Sequence, residues 1–324
     1  VGKKPEAPGI RGRIACEPMT PLTIREFRPE DAEAAYVAHR TGREHLVTTP
    51  EALVWRNAQE QPGAYFRTFV AEVDGQVVAS VRCAVTTGTT RTGLGHAGGS
   101  VLPAFRRRGV FTALLAEAER HLAAHGVTEL QCWVDDDPGS LAFAAARGFR
   151  LGSAAQFAGR DLTVPLPPAP ETPAGVQLRA ATDWAEDPYP LYLIDAEASR
   201  DEPGEAALDD LGYDEWRHDA WDRPDIDHAL TVVAVVDGEP AAMALVQTDG
   251  RGAYWSAFTA CRREFRGRGL SKLAKRESLR LAVEAGCRRA YTSNDVTNAP
   301  MLAINRWLGY ERCAGERMGI KTLG

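Results

Sequence analysis

The spacing of apolar and polar residues divides the chain into two runs with the same plan. Alternation over Leu22 to Phe27 predicts a strand. Asp31 stands where it can cap a helix reaching about Thr41, with Pro29 and Glu30 just ahead of it, and Glu51 to Gln59 predicts a second helix. Phe69 to Val73 and Val77 to Val85 flank Asp74-Gly75, which predicts a hairpin. Phe111, Leu114, Leu115, Ala118 and Leu122 recur at helical spacing, and Gly126 suits the end of that helix. Leu130 to Val134 predicts a short strand, Ser140 the cap of a helix to about Arg147, and Phe149 to Leu162 the closing strands of a first unit.

Five prolines between Val164 and Gly175 then predict an extended linker. Beyond it the plan returns. Val176 to Ala180 reads as a strand, and helices follow near Pro190 to Ser199 and Tyr213 to Trp221. Leu230 to Val236 and Pro240 to Gln247 flank Asp237-Gly238. Tyr254 to Cys261 is a strand, Leu270 to Gly286 a helix, Arg289 to Thr292 a strand, Asn298 the start of a helix, and Tyr310 to Ile320 the closing strands. Arg106 and Arg266 are 160 positions apart, Gly148-Phe149 and Gly309-Tyr310 161, and Asp74-Gly75 and Asp237-Gly238 163. Landmarks at nearly one offset indicate an internal duplication. The expected layout is an arm over 1–21, a unit over 22–163, a linker over 164–175 and a second unit over 176–324. Each unit is expected to be a mixed sheet packed with helices, an α/β (α+β) architecture.

The repeated feature with chemical content is a basic, glycine-containing turn between a strand and a helix. It occurs as Arg106-Arg107-Arg108-Gly109 and as Arg266-Gly267-Arg268-Gly269. Free backbone N–H groups and the helix dipole favour an anion at such a mouth, and arginine adds permanent charge. Gly93-Leu94-Gly95-His96-Ala97-Gly98 matches the dinucleotide pattern G-x-G-x-x-G. It follows Thr-rich sequence and leads to Pro103, so it is expected to be a flexible loop entering a strand.

Composition narrows the partners. A net charge of −6 argues against nucleic acid. The six cysteines, Cys16, Cys83, Cys132, Cys261, Cys287 and Cys313, form no C-x-x-C pair, so no metal site is expected. With no signal peptide and no apolar run of membrane-spanning length, a cytoplasmic protein without a membrane partner is expected.

The two turns carry a family resemblance. Arg266-x-x-Gly269-x-Ser271 resembles the pyrophosphate loop of the GNAT (GCN5-related N-acetyltransferase) superfamily. Asn298, Met301, Asn305 and Leu308-Gly309-Tyr310 resemble its following helix and strand entry. The chain thus resembles two such domains in tandem, the second closer to the pattern than the first. The resemblance implies acetyl-CoA (or another acyl-CoA) as cofactor, the amine of a small molecule as acceptor, and acyl transfer as the reaction. Duplication packed face to face would imitate a dimer of single domains within a monomer.

By the same resemblance, the cofactor's diphosphate is assigned to Arg106, Arg107, Arg108, Gly109, Val110 and Phe111 in the first unit. In the second it is assigned to Arg266, Gly267, Arg268, Gly269, Leu270 and Ser271. Phe111 departs from the family's small residue; turned into the core, it would leave its N–H free. Val101, Thr259 and Cys261 are expected beside the acyl arm, and Asn298 and Asn305 near the cofactor. Many members carry a tyrosine acid where this chain has Ala144 and Asn305. No catalytic residue follows from sequence. Candidates are Glu197, Asp195, Tyr254 and Ser271 in the second unit, and His39, Glu72 and His96 in the first. The motif favours the second unit for chemistry. Between Glu186 and Asp227 stand 15 acidic and 3 basic residues, either a solvated surface or a rim steering a cationic amine. A non-catalytic acyl-CoA-binding protein stays open as the other class, because both tyrosine positions are lost.

Overall fold

The computed structural model describes residues 22–58, 62–87, 89–201 and 212–324. The arm expected over 1–21, and Glu202 and Glu205 of the acidic run, lie outside the described residues. The first half runs β1 (Leu22–Glu26), α1 (Ala32–Arg40), α2 (Pro50–Ala58), β2 (Arg67–Val73), β3 (Gln76–Val85), β4 (Leu94–Val101), α3 (Val110–Ala124), β5 (Glu129–Asp135), α4 (Pro138–Ala146) and β6 (Arg150–Asp161). The second runs β7 (Val176–Ala180), α5 (Tyr189–Ser199), α6 (Tyr213–Trp216), β8 (Val232–Val236), β9 (Glu239–Thr248), β10 (Ala253–Cys261), α7 (Leu270–Glu284), β11 (Arg289–Asp295), α8 (Ala299–Trp307) and β12 (Glu311–Thr322).

Both hairpin dipeptides form the tight turns their sequences call for. Asp74 and Gly75, and Asp237 and Gly238, all take positive φ, the geometry whose twist matches flanking strands. Two expected caps differ. Asp137, rather than Ser140, caps α4 by accepting from the N–H groups of Gly139 and Ser140. Asp31 precedes α1, but its carboxylate is held by the Arg25 guanidinium at 2.7 and 2.9 Å and by the Arg28 N–H. An arginine within reach outcompetes a neutral helix N–H, because an ion pair adds Coulomb attraction to the hydrogen bond.

All strands join one 12-stranded mixed sheet in the order β1-β2-β3-β4-β5-β12-β6-β11-β10-β9-β8-β7. The order is a palindrome of the two halves with the last strands exchanged. β12 completes the first half's sheet by pairing with β5, Glu316 opposite Asp135. β6 completes the second half's sheet by pairing with β11, Ser293 opposite Phe157. β6 and β12 then pair with each other at the centre. The halves therefore meet edge to edge through backbone hydrogen bonds, not face to face. The physical reason is that an unpaired strand edge exposes a row of N–H and C=O groups, and exchange removes two such edges. Across the seam Arg43 bonds Glu316 and pairs with Asp135, each at 2.8 Å, and Arg40 pairs with Asp249 at 3.3 Å. His45 packs on Phe157, and Phe157 on Trp255.

In each half the long helix covers one face of the sheet. Leu114, Leu115, Ala118 and Leu122 of α3 pack on Val81, Cys83, Ala97 and Val101. In the second half Leu273 and Leu279 of α7 do the same against Ala242, Val246 and Tyr254. One residue breaks this apolar face. Lys275 of α7 is 1% exposed, with its Nζ 3.5 Å from Thr292 Oγ1 and 5.5 Å from the centre of the Tyr310 ring. Among the described residues no helix is long and apolar enough to cross a membrane.

Two outcomes follow from this architecture. A fragment of residues 22–163 has β6 but no partner for its β5 edge, so it should form a strand-exchanged homodimer in light scattering; a folded monomer would contradict the exchange. Burial also pushes the Lys275 amine from its ordinary 10.5 down to about 7. Between those pH values the unfolded chain binds the extra proton, so stability should rise with pH from about 7 to about 10. Lys275→Met should remove that slope and raise stability at pH 7 in denaturant titrations. An unchanged slope would show that the amine is not the titrating group.

Candidate functional site

The two basic turns have the same backbone. Each strand ends in a single turn, Pro103–Phe105 or Arg263–Phe265, and a left-handed glycine opens the helix, Gly109 at φ +79° and Gly269 at +76°. The first N–H groups of α3 and α7 have no intrahelical acceptor, which leaves them pointing outward. A Cβ at Gly109 or Gly269 would meet nothing within 4 Å, so the space above each mouth is open. Arg106 Nε donates to the Val101 carbonyl at 3.1 Å, and Arg266 Nε to that of Cys261 at 3.1 Å. One arginine per turn is thus clamped to the end of its own strand. Arg107 takes φ +63° where the second turn has Gly267 at +77°. Exposed N–H groups, open space and several arginines at each mouth fit a diphosphate.

The strand beside each turn parts from its neighbour. β4 pairs with β5 only from Leu94 to His96, and β10 with β11 only from Ala253 to Trp255. Beyond these points Val101, Thr259 and Cys261 lie along an opened strand edge, where an extended acyl arm can add main-chain bonds. In β10 the register against β9 shifts between Ser256 and Phe258, a bulge that β4 lacks. The glycine cluster before Pro103 is part of β4 and not the expected loop. Gly99 is needed for close packing: a Cβ there would strike the Ser80 carbonyl and lie 2.9 Å from the Phe111 ring. Phe111 turns inward onto this core and onto Phe143, so its backbone N–H stays at the mouth.

Several sequence candidates have other duties. Tyr254 is fully buried, its hydroxyl 2.9 Å from Ser278 Oγ, and burial raises its pKa beyond the ordinary tyrosine range. Asp195 accepts from Trp216 Nε1 and Ser199 Oγ, both at 2.9 Å. Glu72 pairs with Arg25 at 3.0 Å. Glu197 accepts from the backbone N–H of Arg263 and so steadies the second turn. Burial raises the Cys261 thiol, which keeps it protonated. Asn298 caps α8 through the Met301 N–H at 3.3 Å. Asn305 is buried and donates to Asn294 Oδ1 at 2.6 Å, with its own side-chain oxygen unpartnered. Ser271 sits half-buried at the second position of α7. The acidic run is largely engaged: Asp201 pairs with Arg263 and Arg266, each at 2.7 Å, and these guanidinium groups hold its carboxyl far below the usual range.

The other face of the sheet, away from α3 and α7, separates the halves. In the first half, α1, α2 and strands β2 to β4 line a cavity of about 30 Å³ with His39, Arg56, Ser80, Arg82, Gly98 and neighbours. Arg82 stands opposite Gly98 on adjacent strands. In the second half the matching pair is Leu245 opposite Phe258, and Ser80 is matched by Met243. There Met243, Leu245 and Phe258 pack with Leu191, Ile194, Trp216 and Trp221 in one apolar cluster. Gly98 is the clearest difference, since a Cβ there would meet nothing within 4 Å.

His39 on this cavity is the sequence candidate that the fold brings to a suitable place. Burial, then the charges of Arg82, Arg43, Arg56 and Arg40, hold its pKa well below the usual histidine value, so the imidazole is neutral. Arg56, Arg82 and Gly98 were not expected from sequence. The one available signal was the comparison of β3 with β9, where Ser80 and Arg82 interrupt a position series that reads Met243 and Leu245 in the repeat.

The model of the Acetyltransferase (GNAT) family matches residues 28–149 and again 178–310. A tandem GNAT protein from the clavulanic acid biosynthesis pathway has a similar structure, with a TM-score of 0.73 and 24% identity, covering 94% of this chain and 99% of the other. A GCN5-related N-acetyltransferase from Sphaerobacter thermophilus aligns with a TM-score of 0.65 and 20% identity, covering 93% and 96%. No curated protein matches the chain by sequence. With both helix mouths, both parted strand pairs and a family match in each half, the chain belongs to the GNAT acetyltransferase family as a tandem member.

Proposed function

We propose that the protein is an acyl-CoA-dependent N-acyltransferase, with acetyl-CoA as donor and the amine of a small molecule as acceptor, and that the acceptor enters the N-terminal half. The donor reading rests on the family and on the two mouths. The observation that carries the choice of half is the cavity beside the β4–β5 gap, set against aromatic filling at the same place in the C-terminal half. The sequence motif pointed to the C-terminal half, because its turn is nearer the family pattern. An opening for one polar group of the acceptor is the stronger argument, since transfer needs the acceptor anchored with its amine against the thioester.

The acyl thioester supplies an activated carbonyl. Backbone N–H groups along the opened edge of β4 are available to polarise that carbonyl. His39 takes the proton of the incoming ammonium, the neutral amine forms the new C–N bond as the C–S bond breaks, and the second amine proton leaves the amide nitrogen for water. Ala144 stands where many relatives have a tyrosine acid, so water protonates the departing thiolate. The C-terminal half then holds acyl-CoA or acts as scaffold for the exchanged strands.

Release of CoA thiol from acetyl-CoA, across a panel of amines, tests this reading. His39→Asn should lower kcat by about 100-fold or more with little change in the KM for acetyl-CoA. In native mass spectrometry Gly109→Glu and Gly269→Glu should each remove one bound CoA, and the larger loss of turnover should fall on Gly109→Glu. Turnover lost only with Gly269→Glu would move the chemistry to the other half. Tight CoA binding without turnover of any amine would favour a non-catalytic acyl-CoA-binding protein.

A further inference from the structure

Two guanidinium groups line the N-terminal cavity without a carboxylate partner. Among the described residues neither Arg56 nor Arg82 makes an ion pair or a side-chain hydrogen bond, although other arginines near the seam do. The nearest acids hydrogen-bond other groups, with Asp225 Oδ1 left unpartnered, and reach Arg56 and Arg82 only by through-space attraction. Asp225 accepts from Arg223 at 2.7 Å and from Thr48 at 3.2 Å, and Glu316 is held by Arg43 at 2.8 Å. Burial, reinforced by Arg223 and by each arginine's cationic neighbours, pushes Arg56 down to about 9 and lowers Arg82, so both remain cationic at neutral pH.

Two half-buried, unpaired cations of one sign are costly to keep in a folded protein. The second half shows that the scaffold does not need them, because Leu245 replaces Arg82 and aromatic residues fill the space. The cavity of about 30 Å³ is too small for a whole acceptor but large enough for one compact polar group. Thr68 and Ser80 add hydroxyl donors to its wall.

Resting on the reading that this cavity belongs to the acceptor site, we propose that Arg56 and Arg82 bind an anionic group, a carboxylate or a phosphate, carried by the amine acceptor. Planar arginine donors match either anion. The cavity lies on the sheet face opposite α3, whose mouth is suited to the donor's diphosphate, so the anion belongs to the acceptor and not to the acyl chain. The same anion would act on His39, which faces Arg40 and Arg43 of its own segment, Arg56 of α2 and Arg82 of β3. By offsetting their field it would return the imidazole toward its ordinary basicity when the right acceptor is in place.

The test compares acceptors that differ only in the anion, glycine with glycinamide and phosphoethanolamine with ethanolamine, using acetyl-CoA and succinyl-CoA. Malonate and inorganic phosphate serve as binding probes in calorimetry. The expected result is a preference of about tenfold or more in kcat/KM for an anionic acceptor. Arg56→Leu and Arg82→Leu should erase it, together with probe binding, while melting at or above the wild-type temperature because each removes an unpaired charge. Gly98→Phe, which copies the second half, should block the probes without touching either arginine. Equal use of charged and neutral acceptors would overturn the inference while leaving acyl transfer intact. A preference for succinyl-CoA without discrimination among acceptors would also overturn it, as would a large loss of stability in both leucine variants. Were no amine turned over, probe binding lost in the leucine variants would still support the anion site while the transferase reading failed. A wild-type protein that binds neither probe would remove the site.

Discussion

The backbone pairing of β12 with β6 at the centre of the sheet is the constraint on which the remaining structure depends. Each half has five strands of its own and borrows the sixth from the other. Neither sheet is complete until the whole chain has been threaded, so the two halves cannot be independent modules on a linker. The exchange also brings Glu316, near the C-terminus, beside Asp135 and under Arg43 of the N-terminal half. An acidic side chain from one end of the chain thereby sets the charge balance next to a cavity built by the other end.

Within that shared frame the halves keep the same geometry at the helix mouths and differ on the opposite face of the sheet. The clamped arginine, the left-handed glycine and the parted strand pair recur almost without change, because each is a property of the backbone and tolerates many side chains. The opposite face is decided by side-chain volume. Gly98 leaves a gap, whereas Phe258 closes it together with Trp216 and Trp221. Burying aromatic surface is favourable, so the filled half gains stability that the open half gives up. Two unpaired arginines around that opening carry a cost in stability that the filled half does not have.

Much of this was legible in the sequence. The duplication, the hairpins at Asp74-Gly75 and Asp237-Gly238, and the glycine-capped helix mouths were written locally, since turn residues and helical periodicity act over a few positions. Caps were read less well: Asp31 and Ser140 had the right residue types, but Arg25 and Asp137 settled where the hydrogen bonds went. The glycines of β4 read as a loop because local propensity disfavours them in strands. Gly95 and Gly99 are required there by the close approach of Val127, Ser80 and Phe111.

The sequence by itself determined the family, the repeated plan and the two glycine-opened helix mouths, because those depend on short stretches of backbone. The tertiary structure alone decided which strand completes which sheet, since nothing local in β6 or β12 names its partner and only long-range pairing chooses. It also decided which half keeps a cavity on the sheet face opposite its long helix. His39, Arg56, Arg82 and Gly98 come from four separate elements, and no periodicity along the chain records that they meet. Their cavity exists because strands from distant positions align in register and leave one position without a side chain.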